Sequence, residues 1–202
     1  MGGDTEVSNE GLWRRLAGLD GRGTARRAGC EYNEPTGSYE IRLLNKKFIV
    51  EPARKRLVTE QGASARYGEQ LCILAYLINA RQAAASGRLT VAESLPGGEF
   101  FFRGPHRLPT AKLAEVFGEK PGLLLEAGER LGGRRVDFGD AAVELKVLPR
   151  VPMTVVVWRG DEEFGPRGSI LFDATAAEQM PLDALWVLSK TVVAALAEAA
   201  GA

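Results

Sequence analysis

The chain has 202 residues, of which 45% are hydrophobic and 26% are charged, and these values are typical of a folded globular protein rather than a disordered one. Lys and Arg together number 26, as do Asp and Glu, so the formal net charge is zero. A neutral chain argues against a nucleic-acid partner, because phosphate contacts require a basic surface, and it leaves little electrostatic repulsion to oppose a homo-oligomer.

The first 28 residues are predicted to form a helical and loop segment ahead of the main domain. The apolar spacing over residues 5–19 predicts a short amphipathic helix, although Gly11 in its middle disfavours one. Residues 20–29 are rich in Gly and Arg and predict a loop or a further short helix. We therefore expect an N-terminal segment over 1–28 and a single α+β domain over 29–202.

The next region predicts a β-hairpin followed by a buried helix. Residues 32–51 alternate apolar and polar side chains around two turn signals, at 33–37 and 45–46. Ser64 can cap a helix that runs to about Ala84 and is apolar on almost every side. Such a helix is expected to be central in the fold.

The middle of the chain is predicted to be irregular over 86–109, apart from a short strand over 99–102. Thr110 can cap a helix that ends at Phe117, and Pro121 suits the first turn of another helix.

The C-terminal third predicts strands over 142–147, 153–158 and 170–172, followed by a long helix. The connection over 148–152 contains two prolines and cannot itself be a regular central strand. Pro181 opens a helix of about 20 residues, which would span ~30 Å. Because strands and helices alternate without a regular βαβ rhythm, we expect an antiparallel or mixed sheet with helices packed on it.

The cysteines and the N-terminus indicate a reduced, cytoplasmic protein. Cys30 and Cys72 are far apart and match no zinc-ligand spacing. Residues 1–6 are acidic and polar, unlike a signal peptide. The longest nearly apolar stretch, 184–197, is interrupted by polar residues and is shorter than the ~20 residues of a membrane span, so we expect no membrane partner.

Several common chemistries lack their motifs in this sequence. No GxGxxG follows a strand, and no GxxxxGK[ST], HExxH, EF-hand loop or GxSxG occurs. His106 is the single histidine, so a site with several histidine ligands is excluded. We assign no catalytic residue, and the sequence leaves open whether the protein is an enzyme.

The first candidate site is the stretch 100–110, where three side chains able to carry positive charge follow three phenylalanines and precede a predicted helix start. A helix N-terminus and arginine both favour an anion, and the phenylalanines can cover an apolar body. His106 could also supply one axial ligand to a metal macrocycle. The alternative is a solvated surface turn. The candidate ligand-binding residues are Phe100, Phe102, Arg103, His106 and Arg107.

The second candidate site is the acidic run Asp161, Glu162 and Glu163 at the end of an apolar strand. Carboxylates bind hard cations and act in general acid–base catalysis, so these three are candidate metal ligands or catalytic groups. Adjacent strand residues point to opposite faces, so the three carboxylates need a turn to converge. The alternative is a solvated acidic turn.

These stretches give the chain a resemblance to the domain of unknown function 3786, from about Gly29 to the final helix. The segment Gly97-Gly98-Glu99-Phe100-Phe101-Phe102-Arg103-Gly104 before His106 is similar to that family. So is the series Pro149-Arg150-Val151-Pro152, then Trp158-x-Gly160-Asp161-Glu162-Glu163-Phe164, then Ile170-Leu171-Phe172-Asp173.

The resemblance implies a biological setting but no catalytic residues. Members of the family occur mainly in anaerobic bacteria and archaea, and some look like fusions to the iron–sulfur module that is also found in corrinoid iron–sulfur proteins. Two isolated cysteines cannot supply a four-thiolate cluster, so this chain resembles the stand-alone form. The resemblance therefore suggests a corrinoid or haem-like tetrapyrrole as ligand and an iron–sulfur protein as partner.

Three functions remain open from the sequence. The favoured one is a binding protein for an anionic, partly apolar small molecule such as a corrinoid or haem, because the helix start beside the arginines is the clearest physical signal. The second is a metal-dependent enzyme that uses the acidic run. The third is a non-catalytic accessory partner of a redox or methyl-transfer complex.

Overall fold

The alternating residues early in the chain form the first of two antiparallel sheets in the structure, a computed structural model that describes residues 9–202. Its four strands follow one another in chain order. Tyr39, Ile41 and Leu43 are buried, as their period of two predicts. The predicted hairpin is confirmed, and a fourth strand extends it. The strands are β1 (Glu31–Asn33), β2 (Ser38–Leu43), β3 (Lys46–Glu51) and β4 (Arg56–Thr59).

The second sheet has five strands in the order β5-β9-β8-β7-β6, and all of its pairs are antiparallel. The strand predicted over 153–158 begins two residues earlier, at Val151, and contains Pro152. Proline is tolerated there because β9 pairs with this strand only from Met153 onward, and the register shifts between Lys146 and Leu148 on the other side. The strands are β5 (Leu89–Val91), β6 (Arg134–Val136), β7 (Ala141–Leu148), β8 (Val151–Trp158) and β9 (Arg167–Asp173).

Eight α-helices lie within the described residues. The helix predicted over 5–19 is confirmed from Glu10, and its first residues lie outside the described range. Residues 20–29, predicted to be either a loop or a short helix, contain a short helix. The helix expected over 64–84 is present but is shorter at both ends. The helices are α1 (Glu10–Ala17), α2 (Gly21–Ala28), α3 (Tyr67–Asn79), α4 (Gly98–Phe101), α5 (Thr110–Phe117), α6 (Gly122–Arg130), α7 (Ala176–Gln179) and α8 (Leu182–Ala200).

The prediction of a strand over 99–102 is wrong, because these residues belong to α4 and the turn that follows it. Gly97 precedes the helix with a φ of 77°, which favours glycine. Gly98 packs so closely on the preceding turn that an added Cβ would lie 2.0 Å from the carbonyl oxygen of Ala92. These tertiary contacts outweigh the strand preference of three consecutive phenylalanines.

The core lies between the two sheets and the helices α3 and α8, which pack against each other. The middle of α3 is fully surrounded, as its nearly uniform apolar composition predicts. The sheets meet where the backbone N–H of Leu44 donates to the carbonyl oxygen of Val147 at 2.8 Å. The predicted long C-terminal helix is confirmed in α8. Within residues 9–202, no helix combines the length and apolar character needed to cross a membrane.

Candidate functional site

Both predicted ligand-binding arginines, Arg103 and Arg107, line one cleft, which we call the arginine cleft. It has a volume of about 560 Å³ and opens beside β9 at Ser169. Arg103 donates to Glu99 at 3.1 Å, whereas Arg107 makes no ion pair within residues 9–202. The lining includes Val91, Glu93, Phe102, Arg103, Arg107 and Leu108.

His106 does not line this cleft. Its ring stacks on Phe101 with a centroid distance of 4.3 Å, and it lies perpendicular to the Trp186 ring with a centroid distance of 5.2 Å. Neither ring nitrogen has a hydrogen-bond partner in the part of the chain that the structure describes. The Trp186 indole N–H donates to the carbonyl oxygen of Arg107 at 3.1 Å, which fixes this aromatic group beside the 98–108 segment.

The two predicted phenylalanines also separate. Phe102 is only 2% exposed and packs near Phe172, with 6.5 Å between the ring centroids. Phe100 is 81% exposed and points away from the core. The five predicted residues therefore do not form one site: Phe102, Arg103 and Arg107 share the arginine cleft, while His106 and Phe100 lie outside its lining.

The acidic run forms a tight turn after β8. The Asp161 carboxylate accepts hydrogen bonds from the backbone N–H groups of Phe164 at 2.7 Å and Glu163 at 2.9 Å. These two bonds lower the pKa of Asp161. In the described range 9–202, no group of three or more His, Cys, Asp and Glu residues is arranged to hold a metal ion.

A groove along α8, more apolar than the arginine cleft, was not predicted from the sequence, and we call it the α8 groove. Its volume is about 670 Å³. Gly68 brings the first turn of α3 close to α8, since an added Cβ there would lie 3.0 Å from the Thr191 hydroxyl. The lining includes Leu44, Tyr67, Leu131, Trp186, Val187, Lys190, Ala194 and Ala195.

Charged side chains border the α8 groove, and most of them are paired. Arg66 donates to both carboxylate oxygens of Glu198, at 2.9 and 3.2 Å, and Lys46 lies 3.7 Å from Glu69. Lys190 is the exception, because it makes no ion pair with any described residue. Its ammonium lies 4.4 Å from the centre of the Trp186 ring. The sequence feature that corresponds to this contact is the spacing of Trp186 and Lys190, which are four residues apart and therefore lie on one face of α8.

A third cavity, of about 530 Å³, lies where the two sheets meet and includes Arg42 and Lys146 in its lining. Cys30 also lines it. Burial, together with the neighbouring Glu31, raises the pKa of this thiol to about 12. The thiol is therefore protonated at neutral pH and is poorly suited to act as a nucleophile.

Comparison with known proteins gives one finding. A model of the family described as Domain of unknown function (DUF3786) matches residues 20–195. The chain belongs to this family. No curated protein and no solved structure matches the chain.

The residues that carried the DUF3786 resemblance include structural ones. The Arg150 guanidinium donates to the carbonyl oxygens of Arg27 at 2.7 Å, Ala83 at 3.3 Å and Arg26 at 3.4 Å. It thereby joins the β7–β8 turn to the end of α2 and to the loop after α3. In this DUF3786 chain the turn at Pro149 and Arg150 thus stabilises the fold, and neither residue lines the α8 groove.

Proposed function

We propose that this protein binds an anionic, partly apolar small molecule and that the ligand lies in the α8 groove. The α8 groove is the observation that carries the proposal. Its volume of about 670 Å³ falls within the range of roughly 300–1,000 Å³ that is usual for ligand pockets. Apolar walls with a few polar groups are the usual composition of such sites.

The chemistry of the groove favours an acid attached to an apolar body. The body would pack on Val187, Ala194 and Ala195, which are not fully covered by the rest of the protein. Lys190 supplies a cation that forms no ion pair with any carboxylate of residues 9–202. Its ammonium lies 4.4 Å from the centre of the Trp186 ring, so an anion paired with Lys190 would lie beside an aromatic wall of the groove.

A tetrapyrrole with carboxylate side chains belongs to this ligand class, but its axial ligation by His106 does not fit. The imidazole is held between Phe101 and Trp186 and does not line the α8 groove. A macrocycle in the groove would meet Trp186 rather than the imidazole. The ligand class therefore follows from the composition of the groove, and His106 has no metal-ligating role there.

The test is a fluorescence titration with anilinonaphthalenesulfonate, a probe that joins an apolar aromatic body to a sulfonate. We expect saturable binding that Lys190→Glu weakens about tenfold or more, a loss of roughly 1.4 kcal/mol. Ala194→Trp fills the groove from an exposed position and should weaken binding to a similar degree. Lys112→Glu is the matched control, because Lys112 lies on α5 outside the groove.

Equal binding by the wild type, Lys190→Glu and Ala194→Trp would refute the proposal. A visible absorption titration with haem and with cobalamin, under reducing anaerobic conditions, then tests the tetrapyrrole. We expect any saturable shift to survive His106→Ala and to disappear in Ala194→Trp. The opposite pattern would place the macrocycle at His106 and not in the α8 groove.

A further inference from the structure

The turn that joins β8 to β9 presents an exposed phenylalanine on a preformed scaffold. The side chain of Phe164 is 66% exposed. The backbone N–H of Asp161 donates to the Phe164 carbonyl oxygen at 2.8 Å, and the Asp161 carboxylate accepts from the Phe164 N–H at 2.7 Å. Because the turn is already ordered, little further conformational entropy is lost if the ring enters a partner.

The three residues just before this ring are acidic, and Arg167 lies near enough to Asp161 to help lower the pKa of that carboxyl. Asp161, Glu162 and Glu163 make no ion pair with any residue in 9–202. Large exposed aromatic side chains mark interaction sites more often than isolated exposed aliphatic ones, since aromatic rings dominate interface energetics. The turn therefore suits a partner surface that combines an apolar pocket with positive charge.

The arginine cleft on the same molecule combines apolar side chains with two arginines and a single carboxylate, that of Glu93. Its apolar lining includes Val91, Phe102 and Leu108, and Arg107 has no carboxylate partner in the described part of the chain. Among residues 9–202, Arg103 forms its ion pair with the exposed Glu99. A volume of about 560 Å³ leaves room for a phenyl ring.

The turn lies just before β9, and the cleft opens beside that strand. Phe164 precedes Ser169 of the cleft by five residues, so at ~3.3 Å per residue the two features are within about 17 Å of each other. Phe164 does not fill the cleft of its own chain, because it is exposed. Two complementary features on one patch suit a two-fold dimer, in which each feature meets the other on the second copy.

We infer that two copies of this chain form a symmetric dimer in which Phe164 of each copy enters the arginine cleft of the other. Glu162 and Glu163 pair with Arg103 and Arg107 across the interface. This surface is separate from the α8 groove, so the inference does not depend on the proposed function. The zero net charge leaves no long-range repulsion to oppose the contact.

Sedimentation velocity over a concentration series tests the dimer. A contact of this limited size is expected to give a Kd on the order of 10 µM for the wild type. Phe164→Ala removes the central anchor and should weaken association about tenfold or more. Leu19→Ala is the control, because Leu19 is also an exposed apolar residue but follows α1.

Charge reversal gives the sharper test. The turn variant Glu162→Arg/Glu163→Arg and the cleft variant Arg103→Glu/Arg107→Glu should each be monomeric, since each then places like charges together. Mixed in equal amounts, they should form a heterodimer, because both contacts regain opposite charges. Circular dichroism melts check that each variant is folded. A wild type that stays monomeric at about 100 µM, or a mixture that stays monomeric, would overturn the inference.

Discussion

Asp173 shows how one buried carboxylate holds a loop in this protein. It is 1% exposed, and it accepts hydrogen bonds from the backbone N–H groups of Ser86, Gly87 and Thr175 at 2.7–3.0 Å. The hydroxyls of Ser86 and Thr175 donate to it as well. Burial alone would raise its pKa, but the hydrogen bonds from Thr175 and Ser86 outweigh burial and lower the pKa to about 2.

Asp173→Asn is expected to reduce the free energy of unfolding by roughly 2 kcal/mol at pH 7, since each pKa unit corresponds to ~1.4 kcal/mol. The folded-state pKa lies below the unfolded one. The carboxylate therefore stabilises the fold above about pH 4, and this contribution is lost as the pH falls towards 2. Urea unfolding at several pH values measures the difference between wild type and variant, which should shrink on acidification. Asp137→Asn, on an exposed turn, is the control.

At the scale of one element, α6 rests on the second sheet through a glycine. An added Cβ at Gly128 would lie 2.6 Å from Cγ1 and 2.9 Å from Cβ of Val143, a buried residue of β7. The helix axis can approach the sheet this closely only without a side chain at that position. Gly122 of the same helix has open space around it.

We expect Gly128→Ala to lower the free energy of unfolding by about 1–3 kcal/mol, because the methyl group forces α6 away from β7. Gly122→Ala should cause no loss and could add up to about 1 kcal/mol, because alanine favours a helix. Urea unfolding curves of the two variants provide the comparison. Similar effects of the two substitutions would show that helix propensity, and not contact with Val143, decides the role of Gly128.

Local patterns in the sequence predicted some elements of the fold and missed others for identifiable reasons. The apolar spacing of α8, with Pro181 before it, is a local signal that the fold preserves. The three phenylalanines before Arg103 were mispredicted because the contacts of Gly98 with the preceding turn decide their conformation. These contacts are visible only in the folded chain.

In the candidate site, too, local sequence patterns predict the neighbours along the chain but not the contacts between distant residues. Arg103 and Arg107 are near in sequence, and both line the arginine cleft. His106, which lies between them, turns to the other side because Trp186 and Phe101 hold its ring. The α8 groove joins Tyr67 to Trp186, residues that are more than a hundred positions apart, and no local pattern signals such a pair.

At the scale of the whole molecule, the N-terminal helices share the core of the rest of the chain. Trp13 of α1 is 4% exposed and belongs to the same buried cluster as α3. Arg27 of α2 donates to the carbonyl oxygen of Ala80 at 2.9 Å, and the Tyr76 hydroxyl donates to that of Ala28 at 2.7 Å. We therefore propose that residues 9–28 unfold together with the main domain, so that the boundary predicted after residue 28 is not a boundary of stability.

The three tryptophans allow this to be tested, since Trp13 lies in α1, Trp158 in β8 and Trp186 in α8. Three variants, each with two of the tryptophans replaced by phenylalanine, report on one region at a time. Because the regions share buried contacts, urea unfolding followed by fluorescence should give the same fraction unfolded as circular dichroism does within each variant. If the Trp13 signal changes at lower urea than the circular dichroism of the same variant, residues 9–28 form a separate, weaker unit, because a cooperative core cannot release α1 first.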